Sequence, residues 1–214
     1  MVTLYSTPLS ANGRKALAVS LHLRIDPKVV VVNVYKGEGR ANDYLTVNPQ
    51  GKVPSLVDGS LMLWESNAIL QYLAEAYGGY KLWSQDEKRR ADLSRWLFWE
   101  SSHWQPVLTN VMRPVVAQKL GLAPASPRAQ ADWTDAQFRS VAELLDIQLS
   151  DRPFIGGLEL TIADFSIAGM MTYARACDFP FQTYPNIAKW YARIEALPAW
   201  QKTATMPWSG SDPA

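Results

Sequence analysis

Residues 48–68 run Asn48-Pro49-Gln50-Gly51-Lys52-Val53-Pro54-Ser55-Leu56-Val57-Asp58-Gly59-Ser60-Leu61-Met62-Leu63-Trp64-Glu65-Ser66-Asn67-Ala68. Asn48-Pro49 with Gly51 marks a turn. Lys52-Val53-Pro54 then leads into a short apolar strand at 55–57. Asp58-Gly59 is a hairpin signal, and 61–63 is the return strand. Glu65-Ser66 starts a helix whose apolar positions Ile69, Leu70, Leu73 and Tyr77 share one face. One hairpin therefore holds a Val-Pro bond close to a helix N-terminus that carries an acid and a hydroxyl.

Upstream, residues 2–5 are β-branched and aromatic and stop at Thr7-Pro8, which predicts a strand. Ser10-Ala11-Asn12 is helix-start chemistry, and Ala16, Leu17, Val19, Ser20 and Leu23 follow at helical spacing until Pro27. The run 29–34 is valine at every position but Asn33, read as the pattern of a strand buried on both faces. A strand-helix-strand opening implies parallel pairing. A polar connection at 36–44, with a helical turn near Asn42, joins it to the hairpin. The first domain is thus an α/β unit, βαβ-α-ββα, over residues 1–78. Gly78-Gly79 stops its last helix and 79–84 is a linker.

Downstream, residues 85–214 predict an all-α domain. A long helical pattern covers 87–119, with Pro106 and Pro114 expected to bend or break it. A second spans 129–149, with Phe138, Val141, Leu144, Leu145 and Leu149 on one stripe. Thr161-Ile162-Ala163-Asp164 is a capping box before a helix at 162–175 that is apolar nearly all round, so this helix should form the domain's core. Tyr184-Pro185 opens a helix through Leu197, and Pro198 starts a short last one.

The net charge is +1, and the charges are scattered, which gives no electrostatic reason to expect nucleic acid or an anionic membrane. Cys177 is the single cysteine, so an intrachain disulfide, Cys-x-x-Cys chemistry and multi-cysteine zinc sites are excluded. Two histidines, His22 and His103, are too few for a His-rich metal site, and no metal is expected. No basic segment followed by an apolar core opens the chain, and no apolar run is of membrane-spanning length, so a cytoplasmic protein is expected.

Three stretches taken together resemble the cytosolic glutathione transferases: 48–56, Trp64-Glu65-Ser66 followed by Ala68-Ile69, and Thr161 to Phe165. They occur in that family's order and spacing, and the resemblance covers essentially the whole chain. It implies a thioredoxin-like first domain, an all-helical second domain, a homodimer and glutathione as co-substrate. Thr7-Pro8-Leu9-Ser10 with Arg14 looks like the serine-type classes, theta, delta and phi.

Glutathione presents one ammonium, two carboxylates and a thiol. Ser66 and the helix amides behind it suit a carboxylate, and Glu65 suits the ammonium of the same γ-glutamyl group. The plain alternative is that both residues only cap the helix. The resemblance implies that Val53-Pro54 is cis and that the Val53 backbone pairs with the cysteinyl backbone. It also places Lys52 and Arg40 near the glycine carboxylate, where the alternative is solvated surface charge. Gly51 departs from relatives that carry a basic residue there.

Ser10 is the candidate for the thiol. A free thiol titrates near about 8.5, and each unit of lowering requires about 1.36 kcal/mol. A charge-assisted hydroxyl hydrogen bond supplies about 1.5–3 kcal/mol, and a helix N-terminus about 0.3–1 kcal/mol more. One hydroxyl is therefore sufficient in magnitude without a general base. Ser10 as a helix N-cap is the alternative, and both roles are compatible. Asn12 is either the cap or itself a donor to the sulfur, and Thr7 is a third choice. Tyr5 lies in the strand and reads as packing.

Trp104, Leu108 and Met112 recur at i, i+4 and i+8, a stripe typical of core. The resemblance implies that their helix lines an apolar electrophile pocket, closed by Trp208. Conjugation of the glutathione thiolate to hydrophobic electrophiles is the implied activity. The alternatives are glutathione-dependent peroxidase or disulfide reductase activity, and a non-catalytic binding protein of the same fold.

Overall fold

The structure is a computed structural model that describes residues 1–7, 9–119, 121, 123–124 and 130–204. The chain divides into two compact units. The first comprises Met1–Gln85 and Glu195–Ala214, and the second is Asp86–Ile194.

The first unit is thioredoxin-like. Its elements are β1 (Thr3–Ser6), α1 (Ala11–His22), β2 (Lys28–Val31), α2 (Asn42–Val47), β3 (Ser55–Asp58), β4 (Leu61–Trp64) and α3 (Ser66–Ala76). The sheet order is β2-β1-β3-β4. β1 is parallel to β2 and antiparallel to β3, which is antiparallel to β4. Leu4, Leu17, Leu56, Ile69, Leu70 and Leu73 are fully buried and form the core.

β2 differs from its sequence expectation. It is an edge strand, and Val31 is 51% exposed. A β-branched run favours a pleated strand but carries no information on how many faces are covered.

The hairpin is tied to α3 through Asp58. Its carboxylate accepts from the Tyr72 hydroxyl at 2.9 Å and from the Tyr77 hydroxyl. These bonds, Tyr77 first, hold the Asp58 carboxyl below the ordinary carboxylate range. The same partnership pushes Tyr77 up to about 12. The Asp58 contribution is therefore complete above the pH where an unconstrained aspartate titrates, and is lost as pH falls through the lower folded value. The Tyr77 contribution is complete below the ordinary tyrosine value and is lost as pH rises through about 12. Tyr77→Phe is expected to move the Asp58 titration upward, as read by NMR of its carboxyl carbon. A titration that stays in place refutes the clamp.

Two boundaries move. The expected linker is packed, with Leu82 and Trp83 only 3% and 6% exposed, and residues through Gln85 belong to the first unit. The last helix, α9 (Pro198–Ala204), packs on α1 and belongs there too, not with the helical domain. Arg14 of α1 holds it: Nε donates to Thr203 Oγ1 at 2.9 Å, and the guanidinium lies 4.2 Å over the Trp200 ring.

The second unit is helical: α4 (Glu87–Trp99), α5 (Gln105–Lys119), α6 (Ala136–Gln148), α7 (Ile162–Met170) and α8 (Pro185–Glu195). A π-helical turn, Glu100–Trp104, joins α4 to α5 immediately before Pro106. Proline has no N–H for the preceding turn, and a widened turn absorbs the irregularity without ending the helix. Pro114 also sits inside α5. α6 starts later than its periodicity suggests. Asp135 caps it by accepting from the Phe138 N–H at 2.8 Å, and Asp132 diverts the Thr134 amide and hydroxyl into a local turn. On its stripe Leu144 is 45% exposed, while Phe138 and Leu145 are buried. Asp146 in turn accepts from the Asn186 and Ile187 N–H groups, both at 2.9 Å, at the start of α8.

α7 is buried at every residue, as its all-round apolarity predicts. The capping box forms. Asp164 accepts four hydrogen bonds: the Thr161 N–H and hydroxyl at 2.8 Å each, the Ile155 N–H at 2.8 Å and the Trp190 indole at 2.9 Å. Burial pushes its carboxyl up, and these donors act against that shift. The helix beyond Met170 continues as two 3-10 turns, Met171–Tyr173 and Arg175–Cys177. Among the described residues no helix is long and apolar enough to cross a membrane.

Candidate functional site

Tyr5 of β1 pairs with Ser55 of β3, which pairs with Trp64 of β4. Beyond that row, at the same end of the sheet, β1 runs on toward Ser10 and α1. β3 is entered from Val53-Pro54, and β4 runs on into Glu65 and Ser66. The antiparallel register thus gathers the separate candidates of the first unit to one edge.

Ser10 is the N-cap of α1. Its Oγ accepts from the Gly13 N–H at 2.9 Å, and its backbone is extended. This uses acceptor capacity and leaves the hydroxyl hydrogen available to an anion. Gly13 lets the first turn of α1 approach β1, since a methyl group there would lie 1.8 Å from Ser6 Oγ. Asn12 is therefore not the cap. It lies inside the first turn, and its Oδ1 accepts from the Ser66 hydroxyl at 3.3 Å. Thr7 is 2% exposed, which withdraws its hydroxyl from a ligand. Tyr5 packs against Tyr44, with ring centroids 5.7 Å apart.

The Ser66–Asn12 bond joins the first turns of α1 and α3, so two positive helix ends face one place. Ser66 is buried, while the Glu65 side chain is exposed. Glu65 has φ 71 and ψ 112, a conformation that non-glycine residues avoid. Such backbone strain is held by surrounding structure and concentrates at functional sites.

The Val53-Pro54 peptide is cis. Two residues not singled out as site residues by the sequence pin this turn from beneath. The Lys52 carbonyl accepts from the Tyr44 hydroxyl at 2.5 Å and from Asn48 Nδ2 at 2.7 Å. Both side chains also contact Ser55 Oγ, at 2.9 and 3.1 Å. Asn48 additionally accepts from the Gln50 N–H at 3.0 Å, the Asx turn behind the Asn-Pro signal. Tyr44 gives no comparable local signal.

Lys52 and Arg40 are both exposed. Gly39 and Gly51 bring their segments together, since a methyl on Gly51 would sit 2.4 Å from the Gly39 carbonyl oxygen. The same methyl would lie 3.5 Å from Arg40 Cδ, so the Arg40 stem passes over Gly51. The chain lacks a basic residue at 51 because that backbone, at φ +66, has no room for a side chain.

The second unit corrects the pocket expectation. Trp104 and Leu108 are fully buried and Met112 is 2% exposed. The Trp104 indole donates to the Ile167 carbonyl at 3.2 Å and stacks on Trp99. The i, i+4, i+8 stripe is core of the helical unit, the ordinary fate of that spacing. Trp208 lies outside the described residues. Among the described residues no cluster of His, Cys, Asp and Glu could hold a metal ion.

The sequence model of the glutathione S-transferase N-terminal domain matches residues 4–81, and that of the C-terminal domain matches 127–193. The tobacco glutathione S-transferase PARB is 30% identical over 94% of this chain and 96% of its own. The chain belongs to the glutathione S-transferase family. The Escherichia coli glutathione S-transferase GstB is also 30% identical, over 97% of this chain and 99% of its own. The crystal structure of poplar glutathione transferase F2 covers 98% of this chain and all of that one, with a TM-score of 0.87 at 25% identity. A glutathione S-transferase solved with lactoylglutathione shares the fold at 23% identity over 95% of this chain and 98% of its own, with a TM-score of 0.84. In this transferase the thioredoxin-like unit carries Ser10, Val53, Glu65 and Ser66 at one edge, and the helical unit holds the Asp164 capping box.

Proposed function

We propose that this glutathione transferase binds the tripeptide along the edge from Ser66 to Lys52 and uses Ser10 to hold its thiolate. The Ser66–Asn12 hydrogen bond carries the reading, because it ties the γ-glutamyl end of the edge to the turn that bears Ser10. Ser66 and the α3 amides receive the γ-glutamyl carboxylate, and the exposed Glu65 receives the ammonium. The Val53 backbone, turned by the cis bond, pairs with the cysteinyl unit. Arg40, crossing over Gly51, and Lys52 meet the glycine carboxylate. Asn12 orients Ser66, and the Ser10 hydroxyl hydrogen points its bond at sulfur. The thiolate attacks a hydrophobic electrophile, forming a C–S bond as the leaving group departs or the acceptor double bond takes a proton. A homodimer in the cytoplasm is part of the same proposal.

Calorimetric titration with glutathione tests the binding half. Ser66→Ala and Glu65→Gln are each expected to weaken binding about 10- to 100-fold, since each removes a partner of a charged group worth about 1.5–3 kcal/mol. Affinities equal to that of the unmodified protein reject the assignment.

A further inference from the structure

The helical unit carries a charged cavity formed by none of the residues proposed to hold glutathione. It measures about 330 Å³ and lies between the segment after α6 and one flank of α8. Its lining includes Asp151, Arg152, Pro153, Asn186, Lys189 and Arg193. Three cations and one carboxylate line it, and a second acid, Asp92, acts on Arg152 from outside the lining while paired with Arg95. Asp151 is committed to Arg152, at 2.8 Å from Nε. Arg193 donates to the Pro153 carbonyl at 3.4 Å, which occupies one N–H and leaves its charge uncompensated. Lys189 lies one helical turn before it on the same flank. Among the described residues neither Lys189 nor Arg193 has an ion-pair partner. The nearby acid Asp146 is taken up by the first amides of α8 and by Asn186 Nδ2 at 2.9 Å.

We propose that this cavity binds a compact phosphoryl oxyanion, a pyrophosphate or a phosphomonoester. The volume sits at the lower end of small-molecule sites, about 300–1,000 Å³, which suits a compact ligand rather than an extended one. A guanidinium matches two phosphoryl oxygens with parallel donors, and a lysine one turn away adds a point charge. The surplus of two positive charges matches a dianion better than a single carboxylate.

The test is calorimetric titration of the full chain with inorganic pyrophosphate and, separately, phenyl phosphate, with ionic strength held constant by sodium chloride. Saturable binding is expected. Lys189→Ala/Arg193→Ala should weaken it about tenfold or more, while Arg113→Ala, an exposed cation of α5 outside the lining, leaves it unchanged. Both positions are exposed, and circular dichroism of the double variant without ligand checks its fold. Binding of both probes favours a phosphomonoester, and binding of pyrophosphate alone favours the free inorganic anion; either supports the site. Heats no greater than those from added chloride, or equal binding by the double variant, overturn it.

Discussion

Ser10→Ala is expected to lower turnover with a model aryl halide about 10- to 100-fold, the loss of a charge-assisted hydrogen bond of about 1.5–3 kcal/mol. The bound thiol should titrate about 1–2 units higher, back toward about 8.5, with glutathione still bound. The same substitution removes the cap that accepts from the Gly13 N–H, at about 0.5–2 kcal/mol of stability. A fall in turnover alone therefore does not separate chemistry from fraying of α1. Ser10→Asp separates them. An aspartate caps the helix as well as serine does, but it brings a negative charge against the sulfur and offers no hydrogen. Thermal stability should rank serine and aspartate together above alanine, whereas thiol acidity should rank serine, alanine, aspartate. Turnover that tracks the stability order would assign Ser10 to capping alone.

Asp164→Ala is expected to produce the largest loss of stability, about 3–5 kcal/mol, because it leaves four buried donors without an acceptor. A melting temperature lower by roughly 6–20 °C corresponds to that loss at this chain length. Asp164→Asn preserves the shape but turns an NH2 group toward two of the four donors, so it should recover only part of the difference. The fluorescence of Trp190, whose indole donates to Asp164, reports the change locally. A melting temperature within about 2 °C of the unmodified protein, equivalent to roughly 1 kcal/mol or less, rejects the role.

Local chemistry carried most of the fold into view. Turn and cap residues such as Asn48, Asp58-Gly59 and Thr161-Asp164 act within a few positions of themselves, so their signals survive in the bare sequence. Depth does not. The 29–34 run revealed a strand but not that β2 lies at an edge, and the 104–112 stripe revealed a helix face but not which neighbour covers it. At the site, the residue types at Ser10, Glu65 and Ser66 were legible because helix starts have chemistry of their own. The Ser66–Asn12 bond and the crossing of Arg40 over Gly51 were not. The first spans 54 residues, and the second depends on two glycines whose backbones meet only in the folded unit.

The return of α9 to the first unit has a consequence for biosynthesis. β1 and α1 are made before Asp86–Ile194, yet α9, whose Trp200 and Thr203 receive Arg14, is made only after the whole of it. The helical unit is contiguous and has every residue it needs before the thioredoxin-like one does. Synthesis order therefore runs opposite to completion order. The helix that presents Ser10 gains α9 as a packing partner only after the helical unit has been made, so a nascent chain carries the site's residues long before it carries that partner.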